Sequence, residues 1–201
     1  LLIILIILFL TNFRGHALEI TLTEGTIEPT PIAVTNFFSD DIQIQKIGNN
    51  ISQVISNNLE RSGLFQPINN KAFIQDISSL AIQPRFEDWK IIKAQHLIAG
   101  KIFKSNDKIT VEFKLYDVFA QKSLLSKRYE TSDKNWRRVS HIISDAVYKR
   151  ITGEGGYFDT RIVYVAETGT KKNRQKRLAI MDQDQASHRF LTDGSYLVLT
   201  P

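Results

Sequence analysis

The chain of 201 residues contains no cysteine, which removes disulfides, thiolate catalysis and any zinc site built on sulfur. Histidine is scarce too. His16, His96, His141 and His188 are scattered along the sequence, with none of the spacings at which a helix or hairpin presents metal ligands. There is no Gly-rich phosphate loop, no serine or threonine in a nucleophile elbow, and no carboxylate pair flanking a plausible cleft, so no enzyme chemistry, cofactor or metal is expected. Charge of one sign is also lacking. Lys and Arg total 26 against 21 Asp and Glu, and a balance of +5 is too mild to demand a nucleic-acid partner.

What is present begins with LLIILIILFL, ten consecutive apolar residues, followed by Gly15-His16-Ala17 with small residues three and one positions before Leu18. This is the apolar core and cleavage site of a secretory signal peptide, expected over 1–17, and the run is short for a bilayer span. An uncleaved anchor, with Arg14 as the stop-transfer charge, is the alternative. Either reading puts the remainder outside the cytoplasm, and the first predicts no stable membrane insertion once the signal is removed. Next, Ile20 and Leu22 alternate with Glu19, Thr21 and Thr23 in a short strand ended by Gly25. Pro29 and Pro31 set it apart from IAVTNFF, a more buried strand. The isolated strand is either an ordinary edge or a segment that can add to another protein's sheet.

The 42% apolar content is enough for one good core, or one core and part of another. Its clearest stretch is 96–130, which reads as a three-stranded antiparallel meander. Ile109, Val111, Phe113 and Leu115 alternate with Thr110, Glu112, Lys114 and Tyr116, predicting one dry and one wet face. Two helices are the expected cover. The first, over 44–62, carries Ile44, Ile47, Ile51, Val54, Ile55 and Leu59 at three- and four-residue spacing and ends at Gly63. The second, over 134–151, carries Trp136, Val139, Ile143, Ala146, Val147 and Ile151, with Ser132 or Asp133 as cap and Gly153 beyond its end. Its polar residues Arg137, Arg138 and His141 read as a solvated surface. Between them, 69–84 reads as loop with one weak helical turn and 85–94 as a short helix whose Trp89 packs on the back of the sheet.

Gly153, Gly155 and Gly156 mark a joint, beyond which RIVYVAE, KRLAIMDQDQ, HRFLT and YLVLTP are short strands without a helix among them. Lys171, Lys172, Arg174, Lys176 and Arg177 decorate the first hairpin, and Asp182 and Asp184 read as turn residues because the glycine and glutamate of a calcium loop are missing.

The order of these pieces, above all SGLFQPI after its helix and GYFDTRIVYV joined to the MDQDQ hairpin, resembles the TolB family of the Tol-Pal envelope system. The resemblance implies an α/β N-terminal domain, two main helices packed on a mixed sheet, followed by the opening strands of a β-propeller, here truncated. The expected divisions are 1–17 signal peptide, 18–31 N-terminal strand and linker, 32–154 α/β domain, and 155–201 first propeller blade and start of the next. It implies a periplasmic, non-enzymatic protein that links TolA to the Pal lipoprotein and supports outer-membrane integrity and constriction at cell division. The TolA C-terminal domain would bind the N-terminal strand through Leu18, Glu19, Ile20, Thr21, Leu22, Thr23 and Glu24, and Pal would bind the propeller. The alternative is an extracytoplasmic module that binds a peptide, glycan or nucleotide.

Overall fold

The computed structural model describes residues 28–76 and 83–196. Thr30–Val34 (β1) is short and almost wholly apolar, as a strand covered on both faces must be. It lies inside a five-stranded sheet between Phe65–Pro67 (β2) and His96–Ser105 (β3), parallel to both. Lys108–Asp117 (β4) and Lys122–Ser132 (β5) continue antiparallel from β3, giving the order β2-β1-β3-β4-β5. The expected meander is therefore present, and β1 and β2 make the sheet mixed.

Helix α1 (Ile42–Arg61) connects β1 to β2. The Asp41 side chain starts it by accepting from the amides of Gln43 and Ile44, a cap worth about 1 kcal/mol. Gly63, at φ +73°, turns the chain out of the helix in the left-handed region that glycine adopts without strain. Helix α2 (Phe86–Ile91) connects β2 to β3, and α3 (Trp136–Thr152) follows β5. Both long helices lie on one face of the sheet, where Ile51, Ile55 and Leu59 of α1 and Ile143 and Val147 of α3 meet Ile98, Ile102, Val111 and Phe113.

The other face of the sheet is wet only in part: Glu112 and Lys114 of β4 are half-buried, whereas Thr110 and Tyr116, expected on the wet face, are buried. Helix α2 covers the Tyr116 end with Phe86 and Trp89, which pack against Ala33, Leu97, Ala99 and Tyr116. Tyr116 is 5% and Thr110 4% exposed. Trp89 is fully buried, meets Phe73 edge-on at 5.0 Å, and donates its indole N–H to Gln75 Oε1 at 3.2 Å. The cap expected for α3 is absent as well. Asp133–Asn135 form a 3-10 turn, the helix begins one residue later, and neither Ser132 nor Asp133 caps it with a side chain.

Phe37 sits between α1 and β3. A Cβ at Gly48 would lie 2.1 Å from the Phe37 carbonyl oxygen, and one at Gly100 2.2 Å from the Phe37 ring, so both positions need glycine for close approach.

After α3 the chain forms a second sheet, Arg161–Thr170 (β6), Asn173–Asp182 (β7) and Arg189–Phe190 (β8), antiparallel in that order. Among the described residues no helix is long and apolar enough to cross a membrane.

Candidate functional site at the junction of the two sheets

Residues 18–24, the expected partner strand, lie outside the described residues. Within them, the densest polar chemistry lies where α3 meets the far end of β7.

The connector between α3 and β6 is tied down first. Asp145 accepts from the amides of Phe158 (2.7 Å) and Asp159 (3.1 Å), and Gly156 runs so close that a Cβ there would lie 2.3 Å from the Asp145 carboxylate. Phe158, fully buried, packs on Tyr148 at 5.8 Å and belongs to the main core. Arg138 grips both carboxylate oxygens of Asp159 at 3.2 Å. The start of the second sheet is thus held by backbone, ring and charge contacts to α3.

Of the three α3 residues that read as solvated surface, Arg138 is exposed as expected, whereas Arg137 and His141 form the other half of the joint. His141 is only 3% exposed. Arg137 ion-pairs with Asp184, which is 7% exposed, and its Nε lies 3.9 Å from Asp182. Arg161 approaches the other Asp182 oxygen at 3.5 Å. Asp182 closes β7 and Asp184 sits in the turn beyond, accepting from the amide of Ala186, so both are turn residues that also carry the charge contacts. Gln183 reaches Asn58 of α1 at 3.3 Å, which brings the second long helix into the same network.

The proton on His141 can be placed from its neighbours. Arg61 can only donate, and its partner is Asn58 Oδ1 at 2.7 Å. Asn58 Nδ2 therefore points the other way, donating to Ser144 Oγ and to His141 Nδ1, both at 2.9 Å. Neutral His141 then carries its proton on Nε2, which faces Asp184 at 3.9 Å and has no hydrogen-bond partner. Burial holds the His141 pKa below its ordinary 6.5; Asp184 opposes this and Arg137 adds to it.

His141, Asp182 and Asp184 bring one ligand atom each within 4.8 Å of one another, a grouping that their spacing in sequence concealed. The donor set nevertheless does not suit a metal. A guanidinium already holds the carboxylates, and Nε2, the imidazole nitrogen that faces them, carries the proton. The arrangement is an ion-pair and hydrogen-bond joint, beside a cleft of about 280 Å³ lined by Lys134, Arg138, Arg161 and Arg189 among others.

Residues 18–124 match the family model described as the TolB amino-terminal domain. The chain belongs to the TolB family. It is 53% identical over 184 residues to the Tol-Pal system protein TolB of Paramagnetospirillum magneticum, a match that covers 91% of this chain and 41% of that one. The crystal structure of TolB from Acinetobacter baumannii superposes with a TM-score of 0.69 at 26% identity, over 82% of this chain and 38% of the other. The chain thus spans well under half the length of these TolB relatives, and the matched part includes the five-stranded sheet and its helices.

Proposed function

We propose that this chain is the N-terminal part of a periplasmic, non-enzymatic component of the Tol-Pal system, which engages the TolA C-terminal domain through Leu18, Glu19, Ile20, Thr21, Leu22, Thr23 and Glu24. The observation that carries the reading is the 53% identity over 184 residues to a relative named for that system. The family match also begins at residue 18, so these seven positions fall within it. Pal is the second partner in this reading, bound by a propeller of which the β6-β7-β8 sheet is the opening blade. Ile162, Val163, Phe190 and Leu191, each 41% to 46% exposed, support that role, because they suit a sheet whose faces are covered by further strands. Linking the two partners would serve outer-membrane integrity and constriction at cell division.

The test is a calorimetric titration of the TolA C-terminal domain into the full chain and into a form that starts at Glu28. The truncation must stop there, because Thr30 already pairs with Phe65 and its amide donates to Leu64 at 2.9 Å. The full chain should bind and the truncated form should not, with both giving the same circular dichroism per described element. Equal affinity of the two forms would remove residues 18–24 from the interface.

A further inference from the structure

Parallel β1 and β2 send their following segments to opposite faces of the sheet, β1 into α1 and β2 toward α2. In open sheets of this kind the crevice outside the carboxyl ends of two such strands is where ligands bind, because the diverging loops leave a gap with backbone on both sides. The gap is present here as a groove of about 450 Å³, between the loop after β1, the outer face of α1, and the turn after β2.

The lining of this groove differs in chemistry from the charged junction. Asn36, Asn49, Gln53, Asn57 and Asn70 contribute carboxamides, Ser52 and Ser56 hydroxyls, and Glu60 and Lys71 are the only charges. On the groove floor Ser52 is buried and spoken for. It accepts from the amide of Phe37 at 3.0 Å and donates to the carbonyl of Thr35 at 2.9 Å, which fixes the β1 loop as a wall. The amides above it are exposed and joined along the helix, Gln45 Nε2 to Asn49 Oδ1 and Gln53 Nε2 to Asn57 Oδ1, both at 2.7 Å. Those pairings fix which end of each carboxamide is used and leave Asn49 Nδ2, Gln53 Oε1 and Asn57 Nδ2 as a donor, an acceptor and a donor outside the pairs.

Asn49, Gln53 and Asn57 are four residues apart on one helix face, so their backbone positions repeat about every 6 Å along the axis. An extended peptide repeats every two residues, at roughly 6.6 to 6.8 Å. The ladder is therefore commensurate with the peptide groups of one strand, each of which presents a donor and an acceptor. Phosphate ligands are disfavoured by a single lysine, and a sugar ring would find no aromatic platform in this lining.

We propose that the groove along Asn49, Gln53 and Asn57 is a binding site for the main chain of an extended, uncharged polar peptide segment of a partner protein. The groove lining shares no residue with 18–24, and the inference does not rest on the role proposed for that segment.

The experiment is a nuclear magnetic resonance titration of the full chain with an alternating threonine-serine octapeptide, blocked at both ends. The readout is the side-chain amide signals of Asn49, Gln53 and Asn57, with a chitotetraose titration alongside. The octapeptide is expected to shift these signals saturably in the millimolar range, and Gln53→Leu and Asn57→Leu, both at exposed positions, should abolish the shifts while leaving the thermal midpoint unchanged. Shifts with chitotetraose alone would overturn the peptide assignment in favour of a glycan site. No shift with either probe, or octapeptide shifts that survive both substitutions, would overturn the proposal itself.

Discussion

Replacing Arg137 by methionine keeps most of the side-chain volume and deletes the charge that α3 delivers to the β7 turn. Asp184, 7% exposed, would then keep the Ala186 amide and, at 3.9 Å, the His141 Nε2–H, and Asp182, 15% exposed, would keep Arg161. Removing one partner from a buried ion pair costs roughly 3 to 5 kcal/mol, most of it the burden of a stranded charge. The Arg137 side chain is 28% exposed and water can reach part of the vacated space, so a loss of about 3 kcal/mol is expected. In a cooperative chain of this size that corresponds to a fall in melting temperature of roughly 6 to 12 °C. A second readout separates electrostatics from packing. Arg137 is one of the influences that hold the His141 pKa down, so the methionine variant should titrate His141 at higher pH than wild type. Asp184→Asn removes the main opposing influence and should move it lower still. Urea denaturation and the imidazole proton signals measure the two effects. Arg137→Met/Asp184→Leu should recover most of the lost stability, since neither charge is left behind. A loss under about 0.5 kcal/mol together with an unmoved His141 titration would show that the junction ion pair is not formed in solution.

His96 and His141 are both held below the ordinary 6.5, chiefly by burial, so the unfolded chain takes up protons at a higher pH than the folded one. Stability is then fully present above about pH 6.5 and falls as the pH drops through that value toward the folded pKa values, which urea midpoints at about pH 8 and pH 5.5 will reveal. Ile143→Ala empties a fully buried position between α3 and the sheet and should cost about 3 kcal/mol in the same assay, with a loss near zero contradicting the packing described. Gly48→Ala adds a single methyl that meets the Phe37 carbonyl, which is backbone and cannot rotate away. A loss of about 3 kcal/mol by thermal melting is expected, and a neutral result would mean that α1 can lift from β3 without penalty.

The meander and the two long helices were legible because each obeys a single period with one apolar face. Alternation in β4 also suggested a wet face, which holds at Glu112 and Lys114 and fails at Thr110 and Tyr116. Both are residues that tolerate either environment, and the short helix that covers Tyr116 carries its apolar weight in two residues, Phe86 and Trp89. The 3-10 turn at Asp133–Asn135 displaced the expected cap because it uses those residues as a helical turn of its own. The junction was hidden for another reason. Arg137 and His141 have the composition of a solvated face, and the partners that let them be partly or wholly buried lie far off in sequence: Asp184 for Arg137, 47 residues away, and Asn58 for His141, 83 residues away. One hint was available. Asp184 has no cation within its own turn, and an acid placed after the basic residues of α3 invites a search for a distant partner.

β1 is made early and paired late. Thr35 bonds to Ile98, 63 residues downstream, and Ile32, Ala33 and Val34 take their register from His96, Leu97 and Ile98. At about 5 to 20 residues per second, that distance represents roughly 3 to 13 s of synthesis during which an apolar strand lacks its β3 neighbour, β2 being made about half-way through. The β3-β4-β5 hairpins close locally and can form without it, so the order of assembly runs opposite to the order of emergence. Pro29 just before β1, Pro31 within it, and Asp40 and Asp41 beyond it furnish the waiting segment with residues that resist intermolecular pairing. Substitutions at these four positions should therefore show themselves in the yield of soluble chain during synthesis, even where the finished fold is as stable as before.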